Sequence, residues 1–128
     1  MNESGSLWTD RARENLRMCD LAYRDGIWTQ TCFHAQQCVE IMLKAYLANS
    51  ERRIPRTNTI ADLLDLMDQP IKESLSDLTN GLRNLDLYYA PTRYPDAMLG
   101  TLPDGLPGRL EATEALSVAK DLMALLDR

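Results

Sequence analysis

Apolar residues recur at intervals of three and four along most of the chain, the spacing that gathers side chains onto one face of an α-helix. Ala12, Leu16, Cys19 and Tyr23 mark a first helix from about Leu7 to Asp25, with Ser6 placed to cap its start. Gly26 is placed to end it in the left-handed conformation. A second helix follows almost at once, from about Ile27 to Asn49, with Ala35, Cys38, Val39, Met42, Ala45 and Tyr46 as its buried stripe. So short a connection packs the two antiparallel. Residues 50–58 are polar, basic and broken by Pro55, which reads as a loop. Thr59 to Asp62 resembles a capping box with Asp in place of Glu, opening a short helix that turns Ile60, Leu63, Leu64 and Met67 inward.

Pro70 sits near the first position of the next helix, where its missing N–H costs nothing. Ile71, Leu75, Leu78, Leu82 and Leu85 then run at alternating spacings of four and three, predicting a long helix. From Tyr88 to about Gly108 the pattern stops, and Pro91, Pro95, Pro103 and Pro107 predict a long loop. A last helix begins near Arg109, with Ala115, Leu116, Ala119, Leu122, Met123 and Leu126 on its inner face. No alternation of β-branched and aromatic residues predicts a strand. The expected fold is all-α: an up-and-down four-helix bundle with one short extra helix and a long loop before the last helix, a single domain over residues 1–128.

Composition fits this picture. Hydrophobic residues make up 45% of the chain and charged residues 26%, as in ordinary globular proteins. No apolar run is long enough to span a membrane, and the N-terminal stretch lacks the basic-then-apolar order of a signal peptide, so a cytoplasmic location is expected. The net charge of −5 argues against a protein that coats nucleic acid through a broad basic face, while leaving room for a local basic pocket. Cys19, Cys32 and Cys38 include no CxxC pair and read as buried free thiols. With His34 as the one histidine, neither a zinc site nor any other cofactor is expected.

Three stretches carry a family likeness. Gln36, Gln37, Glu40, Lys44, Ala45 and Leu47 on the second helix are similar to an A-Q-Q-x-x-E-x-x-L-K-A-x-L pattern. Thr59-Ile-Ala-Asp62-Leu63-Leu64 loosely resembles T-H-D-L-x-x-L, without the histidine. The stretch Tyr88 to Asp96, with Tyr89, Arg93, Tyr94 and Pro95, is similar to Y-x-x-x-R-Y-P-D. Together they resemble the HEPN family, named for higher eukaryotes and prokaryotes. The resemblance implies a dimeric helical bundle. It further implies nucleotide or RNA binding, or metal-independent ribonuclease activity through an arginine followed four to six residues later by a histidine. A minimal nucleotidyltransferase is the implied partner, in a toxin–antitoxin pair. Arg83-Asn84 matches the start of the nuclease motif, but Tyr88 stands where histidine is needed. A tyrosine, whose pKa lies near 10, is a poor general base where a histidine near 6.5 is a good one.

The candidate site is therefore a ligand cleft lined by Gln36, Gln37, Glu40, Lys44, Arg83, Asn84, Arg93, Tyr94 and Asp96, with Arg83 and Tyr88 as the candidates for catalysis. Each has a plainer reading. Gln36, Glu40 and Lys44 share a helix face and make an ordinary solvated i, i+4 series. Arg93 is equally placed to pair with Asp96, and Tyr94-Pro95 to hold the loop down. Arg52, Arg53 and Arg56 read as a solvated loop, His34 as structural, and Trp8 and Trp28 as packing or dimer contacts. Three functions stay open: a nucleotide- or RNA-binding dimer, a degenerate ribonuclease, and a structural partner subunit without its own ligand.

Overall fold

The computed structural model describes residues 3–89 and 106–127, and every regular element among them is helical. The helix α1 spans Glu3–Arg24 and α2 spans Trp28–Asn49. The turn between them is a Schellman motif: Gly26 takes φ 74°, Gly26 N–H donates to Tyr23 O at 3.1 Å, and Ile27 N–H to Ala22 O at 2.9 Å. The sequence expectation holds there. It fails at the other end of α1, where Ser6 lies inside the first turn rather than at the cap. The extra turn forms because Gly5 lets α1 approach the end of α2; a Cβ on it would overlap the Asn49 side chain.

The most deeply set element is α2. Nearly every residue from Cys32 to Ala48 is buried, apolar or not. It packs along α1 on one side and along α6, Arg109–Leu126, on another. Polar ties join α1 to α6 and its C-terminal end: Arg13 grips Asp127 through Nε and Nη2 at 2.8 and 2.6 Å, the Tyr23 hydroxyl meets Thr113 Oγ1 at 2.8 Å, and Lys120 Nζ lies 3.7 Å from Asp20. The Arg13 fork holds the Asp127 carboxyl below its usual range.

Two short helices follow the loop after α2: α3 over Ile60–Asp65 and α4 over Gln69–Ser74. Thr59 caps α3 by accepting from Asp62 N–H, and Asp68 caps α4 by accepting from Ile71 N–H, with Pro70 in the first turn. The long helix expected from Pro70 onward is not continuous. After α4 come a turn at residues 75–78, α5 over Thr79–Asn84, and a 3₁₀ turn over Leu85–Tyr88. Ser74, Ser76, Asp77, Thr79 and Asn80 explain the break, because short polar side chains compete with the helical ladder. Ser74 and Thr79 donate to Pro70 O and Leu75 O. The inward stripe survives: Leu75, Leu82 and Leu85 are essentially inaccessible. The spacing of three from Leu75 to Leu78 and from Leu82 to Leu85 suits i→i−3 bonds such as Leu78 N–H to Leu75 O as well as it suits an α-helix.

Cys19, Cys32 and Cys38 are all buried and free. Burial pushes the thiols of Cys19 and Cys32 up to about 12, and that of Cys38 upward as well. None forms an appreciable amount of thiolate near neutral pH. The folded protein is therefore expected to resist alkylation by iodoacetamide at pH 7.5 and to take up three equivalents in denaturant, as read by intact mass. Rapid labelling of the native protein would contradict the burial.

Candidate functional site

The outer half of α2 carries a polar ladder set almost entirely out of water. Gln36 is inaccessible, Glu40 is 6% exposed and Lys44 is 7% exposed. One turn of helix separates each from the next, so their side chains stack. Gln36 Nε2 donates to Glu40 Oε1 at 3.0 Å, and Lys44 Nζ donates to Glu40 Oε2 at 3.0 Å. The Lys44 ammonium also lies 5.9 Å from the ring centre of Trp8 on α1. The solvated reading of this series is thus corrected: tertiary packing by α1 and the 50–58 loop closes over it. Buried charges are tolerated when both partners are hydrogen-bonded, and no polar side-chain atom among the described buried residues is left unsatisfied.

At its upper end the ladder reaches the surface. Gln37 Nε2 donates to Gln36 Oε1 at 2.6 Å, and Gln37 itself is half-buried. No hydrogen bond to its own Oε1 is found among the described residues. Gln36 Nε2 also approaches Asn58 O at 3.5 Å, and Asn58 Nδ2 donates to the Tyr89 hydroxyl at 3.2 Å. Asp86 locks this corner, accepting from Ile60 N–H at 2.7 Å and Ala61 N–H at 3.1 Å at the start of α3. Gln37, Asn58 and Tyr89 form a polar rim, and the chain continues from Tyr89 toward Arg93, Tyr94 and Asp96, which lie outside the described residues.

Arg83 and Asn84 are not part of that rim. Arg83 is exposed and lies 4.0 Å from Asp65. It lines a cleft of about 230 Å³ with Lys72 and Asp65 over a floor of Leu64, Met67 and Leu75. Asn84 and Tyr88 line a separate hollow of about 40 Å³ beside Glu111 and Glu114. Within the single chain, Arg83 faces Asp65 and the α3–α4 side and lines a different hollow from the one beside Asn84 and Tyr88, and neither hollow includes Gln37. Tyr88 is buried, and burial, followed by its nearness to Cys32, Glu111 and Glu114, pushes its hydroxyl pKa upward. That is the wrong direction for a base, and the flanking glutamates oppose a phosphate.

Sequence reasoning missed Asn58 and Asp86. Asn58 precedes a capping threonine and looked like loop. Asp86 acts across a gap of 26 positions, which no local pattern reveals. Trp8 was read as a packing or dimer residue; its ring contact with Lys44 is a packing role of that kind.

Residues 6–128 match the HEPN domain as a sequence family. The chain belongs to the HEPN family. It is 25% identical to the "Putative toxin MJ1304" of Methanocaldococcus jannaschii, over 94% of this chain and 84% of that protein. The crystal structure of TT1696 from Thermus thermophilus superposes with a TM-score of 0.83 at 32% identity, over 98% of both chains. That of ST0689, an archaeal HEPN homologue, gives a TM-score of 0.75 at 24% identity, over 99% of this chain and 97% of the other, and supports the fold.

In this HEPN chain no group of three metal-ligating side chains converges among the described residues, and no described helix is long and apolar enough to cross a membrane. His34 is half-buried, with Nδ1 3.0 Å from Asn15 Oδ1, and burial lowers its pKa. The fold therefore favours neutral His34, while the unfolded chain takes up a proton near 6.5. Stability is expected to fall as the pH drops below about 6.5, and His34→Gln should flatten that limb of a pH–melting-temperature profile. An unchanged profile would contradict it.

Proposed function

We propose that this HEPN protein is a binding module for a nucleotide or a short RNA segment, used as a homodimer. Gln37 is its outward hydrogen-bonding group, and the Gln36–Glu40–Lys44 ladder holds Gln37 in place. The observation that carries this reading is the buried ladder, whose cost is large unless it positions something. A glutamine amide reads the donor and acceptor edge of a base. Arg93 and Tyr94 would add a phosphate fork and a stacking ring to the same rim. Similarity to a toxin supports a toxin–antitoxin-like role in which a minimal nucleotidyltransferase is the partner. The cleft of Arg83 and Lys72 is a second, separate anion position.

Ribonuclease action is disfavoured by the burial of Tyr88 and by its separation from Arg83. Incubation of the purified protein with end-labelled RNA should leave the RNA intact. Nucleotides or oligoribonucleotides should raise the melting temperature, and Gln37→Ala should weaken binding about tenfold, the loss of one good hydrogen bond. Cleavage abolished by Arg83→Ala would overturn the binding-only reading. Retained partner binding with no nucleotide-induced shift would favour a purely structural subunit.

A further inference from the structure

The short helix α4 is an arch. None of its six residues is buried, whereas Met67 before it and Leu75 after it are 4% and 1% exposed. The Tyr46 hydroxyl donates to Asp68 Oδ2 at 2.7 Å and ties the leading end to α2. With both ends pinned, the turn between them stands clear of the core. The hollow of about 230 Å³ opens there, walled by α3 and α5. Its floor is carbon: Leu64, Met67 and Leu75. Its exposed mouth carries two cations, Lys72 from α4 and Arg83 from α5, and one carboxylate, Asp65 from α3. Lys72 enters no ion pair among the described residues. Arg83 Nη2 lies 4.0 Å from Asp65, too far for a hydrogen bond, so its planar fork keeps donors for a ligand.

Size and charge together define the occupant. A cavity of about 150 Å³ takes a benzene-sized body, and drug-sized ligands need roughly 300 Å³ or more. The hollow falls between these, so it holds one ring or branched chain with a small polar head, and a whole nucleotide is too large. Two cations and one carboxylate leave a single cation in excess. A monoanion neutralises it; a phosphate dianion overshoots and meets Asp65. The flat two-oxygen head of a carboxylate also matches the arginine fork. We propose that the hollow beside α4 binds a compact organic carboxylate. Its aromatic or branched body lies on Leu64, Met67 and Leu75, and its carboxylate bridges Lys72 and Arg83. Only the anion position of Lys72 and Arg83 is shared with the proposed function; Gln37 plays no part.

Titration of the full chain with benzoate, benzamide and inorganic phosphate, followed by methyl and amide NMR, tests it. Benzoate should saturate with the millimolar affinity expected of so small a ligand. It should move the methyl signals of Leu64, Met67 and Leu75 and the backbone signals of Lys72 and Arg83, and leave the Gln37 and Asn58 side-chain amides still. Benzamide has the same shape without the charge and should bind about tenfold more weakly. Lys72→Gln and Arg83→Gln, both at exposed positions, should stay folded and each weaken benzoate about tenfold. No benzoate shifts at high millimolar concentration, equal binding of benzamide, or indifference to both substitutions would overturn the proposal. Shifts with inorganic phosphate but none with benzoate would keep the anion position and refute the carboxylate. Nucleotide shifts at Gln37 without benzoate shifts in the hollow refute this inference alone, and the reverse refutes the Gln37 site alone.

Discussion

Glu40→Ala is expected to destabilise the protein by about 3 kcal/mol, the scale on which removal of one partner strands a buried charge. Glu40 is the shared acceptor of the ladder: without it, the Lys44 ammonium and the Gln36 amide lose their 3.0 Å bonds while still shut away from water. Lys44 has little freedom to escape, since Trp8 lies over it. The melting temperature should fall by on the order of 10 °C. Glu40→Gln keeps the shape and an acceptor for Gln36 and should lie between wild type and alanine. The double variant Glu40→Ala/Lys44→Met should recover much of the loss, because it removes the stranded charge as well. Urea denaturation of the four proteins decides the matter. A loss below about 1 kcal/mol for Glu40→Ala is what a solvated i, i+4 pair would give, and would show that the ladder is not closed.

Asp86→Ala is expected to cost about 2 kcal/mol, the upper range for loss of a helix cap. Its carboxylate accepts from two N–H groups at the start of α3, and one of them belongs to Ile60, which is fully buried. Water cannot readily replace the lost acceptor at Ile60. The effect should be local as well as global. Hydrogen exchange at Ile60 and Ala61 should accelerate more than exchange in α6, because Asp86 ties the 3₁₀ turn to α3. Asp86→Asn should retain part of the protection through its carbonyl oxygen. Equal acceleration in α3 and α6 would show that Asp86 contributes only to overall stability. The Asn58–Tyr89 bond spans the same corner, so the alanine variant should also bind the proposed ligand more weakly.

Local chemistry made much of this fold legible. Gly26 ends α1 because only a glycine adopts positive φ there at no steric cost, and the Thr59 cap follows from side-chain reach of a few residues. The stripes of α2 and α6 are visible because their spacing of three and four has one structural meaning over a long stretch. The stripe from Ile71 to Leu85 was ambiguous for a physical reason. A spacing of three or four keeps leucines inward in a continuous helix and in a chain of short helices alike, and only the run of serine, threonine and aspartate between them disfavours continuity. The site was legible in part. Gln36, Gln37, Glu40 and Lys44 do come together, but their burial depends on Trp8 and the 50–58 loop, which are remote in sequence. Within the single chain, Arg83 lines a hollow that includes none of them.

The proposed binding site is tested most directly by side-chain amide signals. In a ¹H–¹⁵N correlation spectrum, titration with a nucleotide or an oligoribonucleotide should move the Gln37 and Asn58 side-chain NH₂ cross-peaks together, along with the backbone peaks of residues 57–60. Spectra unchanged at saturating ligand, or shifts confined to Lys72, Thr79 and Arg83 around the other cleft, would contradict it.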